Sequence, residues 1–382
     1  MNRREWLRLF GGGLLAASTL PLVGCSSNLP AEAIAAWQPP SESLELRHWI
    51  LAHAILAPHS HNLQSWLVNL DTPDTILLRM DQTRLLPETD PHGRQMVMSQ
   101  GTFIEILVMA AQQRGYRAEV TPFPEGEFDP HRVDERPTAS IRLIADASLP
   151  PDPLFAQIFL RRTNRSIYDA RRPDAVALAA IKESTVGFPV RCGFITAADQ
   201  AIIQHRKIAI DSWRIELSTP RTLLESYKVL RVGPREIAEH RDGLSLNDPF
   251  VRALTALGLF DRTKASPPDS SEIAGQIDTF AEKITATPAF FWLISDRNDR
   301  VTQLQAGRAY VRAQLAATAY GLSMHPLQQA LQEYPEQYQS YSDIHQLLEA
   351  NIPSQTVQMW ARLGYAPAIE PAPRRGLAAH LV

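Results

Sequence analysis

The stretch Ala57-Pro58-His59-Ser60-His61-Asn62-Leu63-Gln64-Ser65-Trp66 gathers a helix-ending proline, hydroxyls, two imidazoles and two carboxamides into one short connection. It precedes a β-prone run, Leu67-Val68-Asn69-Leu70. Asn62 and Gln64 are two apart, so in an extended segment their amides point the same way. Each amide offers two donors and an acceptor. That suits a flat heterocycle whose edge alternates N–H, C=O and bare nitrogen. His59 and His61, with His53 nearby, would also make half of a metal site. No Cys, Asp or further His follows at ligand spacing, so no metal is expected. Taken alone, the stretch also reads as a plain helix-to-strand turn that holds no ligand.

A second group lies in Arg161-Arg162-Thr163-Asn164-Arg165. A guanidinium presents a planar fork matched to phosphate oxygens, and charge-assisted bonds are about twice as strong as neutral ones. The competing reading is a solvated basic turn. A third group closes the chain, where Pro371-Ala372-Pro373 stiffens the approach to Arg374 and Arg375. Spacing does not say which of those two arginines reaches a ligand. A fourth is Gly321-Leu322-Ser323-Met324-His325-Pro326-Leu327-Gln328, in which His325 is either an acid or base or a mere lining residue.

The elements that must position these groups alternate along the chain. Ser41 or Ser43 caps a helix running to Leu56. Strands are expected at Trp66–Leu70 and Thr75–Met80, then a long helix from Arg94 to Arg114 ended by Gly115, then strands at Tyr116–Phe123 and Ala139–Ile144. The second half reads as helices at Pro153–Leu160 and Asp174–Glu183, a strand at Pro189–Thr196 and a long helix at Asp199–Leu217. An irregular stretch follows, 233–275, carrying Pro234, Pro249, Pro267 and Pro268 around an apolar middle from Phe250 to Phe260. A strand at Ala289–Ser295 and a helix ending at Gly321 complete the pattern. Gly101 and Gly115 flank one long helix as Gly307 and Gly321 flank another, with Ala110-Ala111 and Ala316-Ala317 at matching offsets. That repeat suggests two equivalent helices packed closely. The fold class expected is α+β.

Pro58, Ser60, Asn62, Gln64 and Trp66 match a Pro-Ser-x-x-Asn-x-Gln-Pro-Trp signature, and the chain resembles the FMN-dependent nitroreductases, in particular their Acg-type relatives. Ser65 stands where the family has proline, which implies a less rigid strand entry. Arg161 to Arg165 resembles the family's Arg-x-Ser-x-Arg phosphate segment, with Thr163 in the serine place. The resemblance implies a nitroreductase-like fold of two fused halves, a pseudo-dimer with helices around central antiparallel-type sheets and one FMN between them. It implies cofactor-binding roles for Pro58, His59, Ser60, Asn62, Gln64, Arg161, Arg162, Thr163, Arg165, Pro326, Leu327, Gln328, Arg374 and Arg375. No side chain is expected to be catalytic in its own right, because flavin carries the redox chemistry. The implied activity is electron transfer through FMN to a small oxidised substrate. The alternative is an FMN-sequestering protein with little turnover, in which stretch 233–275 forms a lid.

The N-terminus reads as an address. Arg3-Arg4-Glu5-Trp6-Leu7-Arg8 is a twin-arginine pattern, Leu9 to Val23 is apolar, and Leu22-Val23-Gly24-Cys25 resembles a lipobox. The expectation is a signal peptide over 1–25, lipidation at Cys25, a proline-bearing tether over 26–40, a first half over 41–150 and a second over 151–382. The mature body would sit outside the cytoplasm, periplasmic and membrane-anchored through lipid. A lone transmembrane anchor is the other reading of the same residues. With Cys25 lipidated, Cys192 alone remains, so no intramolecular disulfide forms. The formal charge is −3, and it becomes −5 without the three Arg and one Glu of residues 1–24. No nucleic-acid partner is expected, and the fused halves imply a monomer.

Overall fold

A computed structural model describes residues 28–197 and 199–382. The twin-arginine stretch, the apolar run after it and Cys25 lie outside the described residues. Among those described, no helix is long and apolar enough to cross a membrane, and no His, Cys, Asp and Glu side chains group as metal ligands.

The architecture is α+β and doubled. β1 (Trp66–Asn69), β2 (Thr75–Met80), β3 (Tyr116–Pro122) and β4 (Ala139–Ala145) form an antiparallel sheet in the order β1-β2-β4-β3. β5 (Arg191–Thr196) opens the second half, and β6 (Leu230–Val232) and β7 (Leu244–Leu246) form a small parallel pair. With β8 (Ala289–Ser295), β9 (Ser323–Pro326) and β10 (Thr356–Gly364), β5 builds a second antiparallel sheet in the order β5-β8-β10-β9. The two orders are the same path drawn twice. Each sheet is preceded by a nine-residue helix, Leu46–Ala54 or Ala175–Glu183, and interrupted after its second strand by a 20-residue helix.

Those two long helices, Arg94–Gln113 and Arg300–Ala319, cross at the repeated glycines. A Cβ on Gly101 would lie 2.0 Å from the Leu304 carbonyl oxygen, and one on Gly307 would lie 1.9 Å from that of Met98. Met98 and Gly101 correspond to Leu304 and Gly307 at a common offset of 206 positions. The contact is therefore reciprocal, as at a two-fold interface between identical subunits. Glu105, buried on the first helix, accepts from Arg308 and Arg312 on the second at 2.8 Å each. Local chemistry starts both helices. The Asp90 carboxylate accepts from the Gln95 and Met96 N–H groups, and that of Asp299 accepts from Thr302.

Several boundaries differ from the sequence expectation for identifiable reasons. Glu45, not Ser41 or Ser43, caps the first helix by accepting from the His48 N–H at 3.1 Å. The helix expected over Pro153–Leu160 is a single 3₁₀ turn, Phe155–Gln157, whose last carbonyl accepts from both the Leu160 and the Arg161 N–H groups before Arg161 turns into the interior. Stretch 233–275 is largely regular, with helices Gly233–His240 and Pro249–Ala256 and the start of Ser271–Thr285. Pro234 and Pro249 stand in first turns, where a missing N–H costs nothing, so they start helices and do not break them. The insertion is also larger than its irregular-looking part: everything between β5 and β8 is absent from the first half, where β1 and β2 meet in a short turn.

Residues 28–40 do not stand free. Ala31–Ile34 is a helical turn, and Trp37 is only 7 % exposed. The far end of the chain returns to the first half, where Val68 donates to the His380 carbonyl at 2.7 Å and covers the open edge of β1.

Candidate functional site

The loop before β1 is shaped by the first long helix. Ser99 Oγ accepts from the Ser60 N–H (3.1 Å), Thr102 Oγ1 donates to the Pro58 carbonyl (2.6 Å), and Gln100 Nε2 donates to that of Ser65 (2.9 Å). Held this way, the loop is not extended. Ser60–Asn62 is a 3₁₀ turn, and His61, Asn62 and Gln64 have φ of 48°, 56° and 55°. Left-handed backbone at non-glycine residues costs on the order of 1–3 kcal/mol each and persists only where surroundings over-determine it.

That geometry corrects the premise that the two carboxamides share one side of an extended strand. They do converge, but on protein. Asn62 Nδ2 donates to the carbonyls of Gly243 (3.1 Å) and Pro373 (3.0 Å), and its Oδ1 accepts from Arg374. Gln64 is fully buried; its Nε2 donates to the Arg241 carbonyl (2.9 Å) and its Oε1 accepts from the Arg375 N–H (2.9 Å). The amides thus tie together the loop, the C-terminal segment and residues 241–243 of the insertion. The apolar middle, Phe250–Phe260, leaves Phe250, Leu257 and Leu259 exposed, and the piece of the insertion that hydrogen-bonds the loop is Arg241–Gly243.

The serine at position 65 does not loosen the strand entry. His59 Nδ1 lies 2.7 Å from the Ser60 carbonyl and so carries the proton. Its Nε2 then accepts from the Ser65 hydroxyl (2.7 Å) and the Ser65 N–H (3.1 Å), a donor that proline lacks. Burial, then the charges of Arg374 and Arg375, push the His59 imidazole down to about 3. His61 is pushed down to about 4 by burial and by Arg165. Both rings are neutral at ordinary pH.

The basic segment runs beside β9. Thr163 bridges to Met324, and the Asn164 N–H donates to the Met324 carbonyl at 3.1 Å. From there the arginines diverge. Arg161 is buried, donating to the Leu56 carbonyl (3.0 Å) and to Gln314 Oε1 (3.3 Å). Arg162 donates to the Phe159 carbonyl at 2.8 Å. Arg374 joins these two, reaching the Ala57 carbonyl at 2.9 Å, whereas the Arg375 guanidinium turns back to the Gln64 carbonyl. The tertiary structure thereby separates the two terminal arginines that spacing left equivalent. Arg165 stands apart from the cluster, where its charge helps to depress both His61 and His325, after burial in each case.

Arg161, Arg162 and Arg374 surround one indole, that of Trp37, at 5.7, 4.6 and 5.6 Å from the ring centroid. None of the three has an ion-pair partner among the described residues. Burial and the neighbouring Arg162 bring Arg161 down to about 10, against an opposing pull from Tyr310. Burial and the same neighbours hold Arg374 well below the usual guanidinium range. The Nε atoms of Arg161 and Arg374 are buried without a hydrogen-bond partner. Three packed cations with no carboxylate and unspent donors form a site that an anion would complete.

Pro326, Leu327 and Gln328 lie farther along the same connection. Leu327 is buried and donates to the Trp360 carbonyl at 2.8 Å, and Gln328 reaches that of Gln358 at 3.4 Å. They bond within the second half, not to the loop of residues 57–66. Trp37 and the carbonyls of Arg241 and Gly243 were missed by sequence reasoning. One aromatic in a proline-rich stretch carries no signal, and backbone carbonyls carry none anywhere. A separate cavity of about 640 Å³ lies between residues 82–96 and 131–136, and no residue of the cluster lines it.

No protein-family model matches the chain. Two curated proteins from Mycobacterium tuberculosis, strains CDC 1551 / Oshkosh and H37Rv, are each described as "Putative NAD(P)H nitroreductase". Each is 25% identical over 347 residues, covering 86% of this chain and 88% of the relative. By sequence, the chain is similar to these two proteins over most of its length. Among solved structures, it is similar to the FMN-dependent nitroreductase NfnB from Mycobacterium smegmatis in complex with NADPH, at 16% identity and a TM-score of 0.36. That match covers 58% of this chain and 94% of the other. A nitroreductase with bound FMN from Bacteroides fragilis is 13% identical with a TM-score of 0.34, covering 59% of this chain and 96% of the other.

Proposed function

We propose that this protein is an FMN-dependent oxidoreductase of nitroreductase type, of the fused Acg-like kind, holding one FMN per chain where its halves meet. The observation that carries the reading is the cluster of buried Arg161 and Arg374 with half-buried Arg162, which has no counter-charge and in which Arg374 joins the C-terminal segment to the Ala57 carbonyl. A phosphate monoester fits it, because the unpartnered Nε atoms of Arg161 and Arg374 offer charged donors to such a group. FMN, when bound, supplies acceptance and donation of a hydride or electrons toward a small oxidised substrate. The protein's share is to hold and orient. His59 and Ser65 pin the loop, Asn62 fixes Arg374 in the cluster, and Arg165 keeps a positive charge beside neutral His61 and His325.

The stoichiometry has its own support. At the pseudo-equivalent place in the second half, Arg308 and Arg312 stand where the first half has Thr102 and Ile106. Both pair with Glu105, and Arg312 also pairs with Asp152, so those cations are already neutralised. The loop there, residues 184–190, contains neither Asn nor Gln. Export by the twin-arginine route, lipidation at Cys25 and a monomeric body remain part of the proposal, on the residues Arg3, Arg4 and Leu22 to Cys25.

The test is an absorption spectrum of the purified protein with FMN, followed by addition of NADPH. Bound flavin that bleaches supports the enzyme. A second reading, FMN held with little turnover, is favoured by one observation: residues 241–243 close on the loop, with the Gly243 N–H donating to the Asn62 carbonyl at 3.1 Å. Fast reduction by dithionite with slow reduction by NADPH would support it. Reduction by NADPH at on the order of 1 s⁻¹ or faster would remove it. A chain that takes up no FMN, or two per chain, refutes the assignment.

A further inference from the structure

The segment between the expected lipidation site and the helix Leu46–Ala54 has been given no role beyond spacing, yet it packs against the C-terminal segment that carries Arg374, and its Trp37 lies against the arginine cluster. The Trp37 ring is fixed by Nε1, which donates to the Ala372 carbonyl at 2.8 Å. Four residues earlier, the Ala33 carbonyl accepts from the Arg374 N–H at 2.9 Å. The Leu29 N–H reaches Glu370 Oε2 at 3.0 Å. The arm therefore holds both the backbone of Arg374 and one side of its side chain.

An indole is suited to this place for a physical reason. Its π face attracts cations without cancelling their charge. A carboxylate at the same position would neutralise the cluster and remove its attraction for an anion. Guanidinium groups that lie against a ring keep their in-plane N–H edges for hydrogen bonds. Arg161 and Arg374 use part of those edges on the carbonyls of Leu56 and Ala57 and still have Nε to offer.

We infer that Trp37, with the arm of residues 28–37, is a positioning element for phosphate recognition: it gathers Arg161, Arg162 and Arg374 around a neutral ring so that their free donors meet one phosphate monoester. This rests on the reading of the cluster as the phosphate end of an FMN site. The arm that leads to the membrane anchor is then also a wall of the cofactor site.

The experiment compares the whole protein with its Trp37→Ala, Trp37→Leu and Trp37→Phe variants, titrating each apoprotein with FMN and with riboflavin by flavin fluorescence. Trp37→Ala and Trp37→Leu are expected to weaken FMN by about 10-fold, the scale of a desolvated cation–π contact. Riboflavin affinity should hold within about two-fold, and Trp37→Phe should recover most of the loss, since it restores a π face. Riboflavin binding also reports that each variant is folded. Trp37→Leu keeps the apolar bulk and decides the matter if the alanine variant does not fold. Unchanged FMN affinity, or equal loss of both flavins, overturns the inference. If the unaltered protein binds neither flavin, the FMN assignment falls by itself, and inorganic phosphate becomes the probe. A rise in Tm with phosphate that Trp37→Leu abolishes keeps the positioning role, and no rise in the unaltered protein removes it.

Discussion

Replacing Asn62 with alanine tests the reading of the loop most directly. The carboxamide makes two neutral hydrogen bonds, to Gly243 and Pro373, and accepts one charged bond from Arg374. At about 1 kcal/mol for each neutral bond and about 1.5–3 for the charged one, complete loss would cost roughly 3.5–5 kcal/mol. Asn62 is only partly buried, so water recovers a share, and the expected destabilisation is about 2–4 kcal/mol. Alanine adds strain of about 1–2 kcal/mol at a φ of 56°, which asparagine tolerates better. Asn62→Gly removes the amide without that strain and separates the two effects. Urea unfolding of both variants measures them. The binding consequence is specific. Once released, Arg374 no longer stands ready for a phosphate, so FMN affinity should fall by about 10- to 100-fold, matching about 1.5–3 kcal/mol. Riboflavin affinity should fall less. This differs from what a ring-contacting amide would do, since losing one would weaken both flavins equally. An Asn62→Gly variant as stable as the unaltered protein, with equal losses for the two flavins, would refute the account.

Three further outcomes follow from the same structure. Gly307→Ala forces a methyl group to within 1.9 Å of the Met98 carbonyl, so it should cost at least the ~1–3 kcal/mol of an overpacked core, and Gly101→Ala should match it by symmetry; a melt of either that equals the unaltered protein contradicts the crossing. Ser65→Pro, although it completes the Pro-Ser-x-x-Asn-x-Gln-Pro-Trp signature that the loop resembles, should destabilise by about 1–3 kcal/mol because His59 Nε2 loses both of its donors, and calorimetry checks this. Stability should fall as pH drops below about 6.5, the usual histidine value, because an unfolded chain takes up protons that buried His59, His205, His345 and His380 refuse until about pH 3–4. Burial raises Glu216 to about 7, which has the opposite sign: its neutral carboxyl stabilises fully below about 4.5, and that contribution is lost as pH rises through 7. Asp90, which burial raises to about 6, acts with Glu216, but four histidines outnumber these two carboxyls and should prevail, so urea midpoints at pH 7 that do not exceed those at pH 5 would be the contrary result.

Periodicity and spacing carried the local structure. The 20-residue helices, the alternation in Thr75–Met80 and the matched glycines all depend on neighbours a few positions away, so they can be read from residue order. The glycine repeat even pointed to the crossing of two equivalent helices, because only a missing side chain permits such an approach. The residues of the site were recognisable by type in the same way. Their partners were not. Asn62 meets Arg374 across 312 positions, and Gln64 meets Arg375 across 311. No periodicity spans such a distance, so the facing of the carboxamides, the parting of Arg374 from Arg375 and the place of Trp37 appear only when the chain ends fold back on the first half. The prolines of stretch 233–275 show the same limit on a smaller scale. A proline removes an N–H wherever it stands, but whether that breaks a helix or begins one depends on what the preceding residues pack against, and that is decided by the tertiary structure.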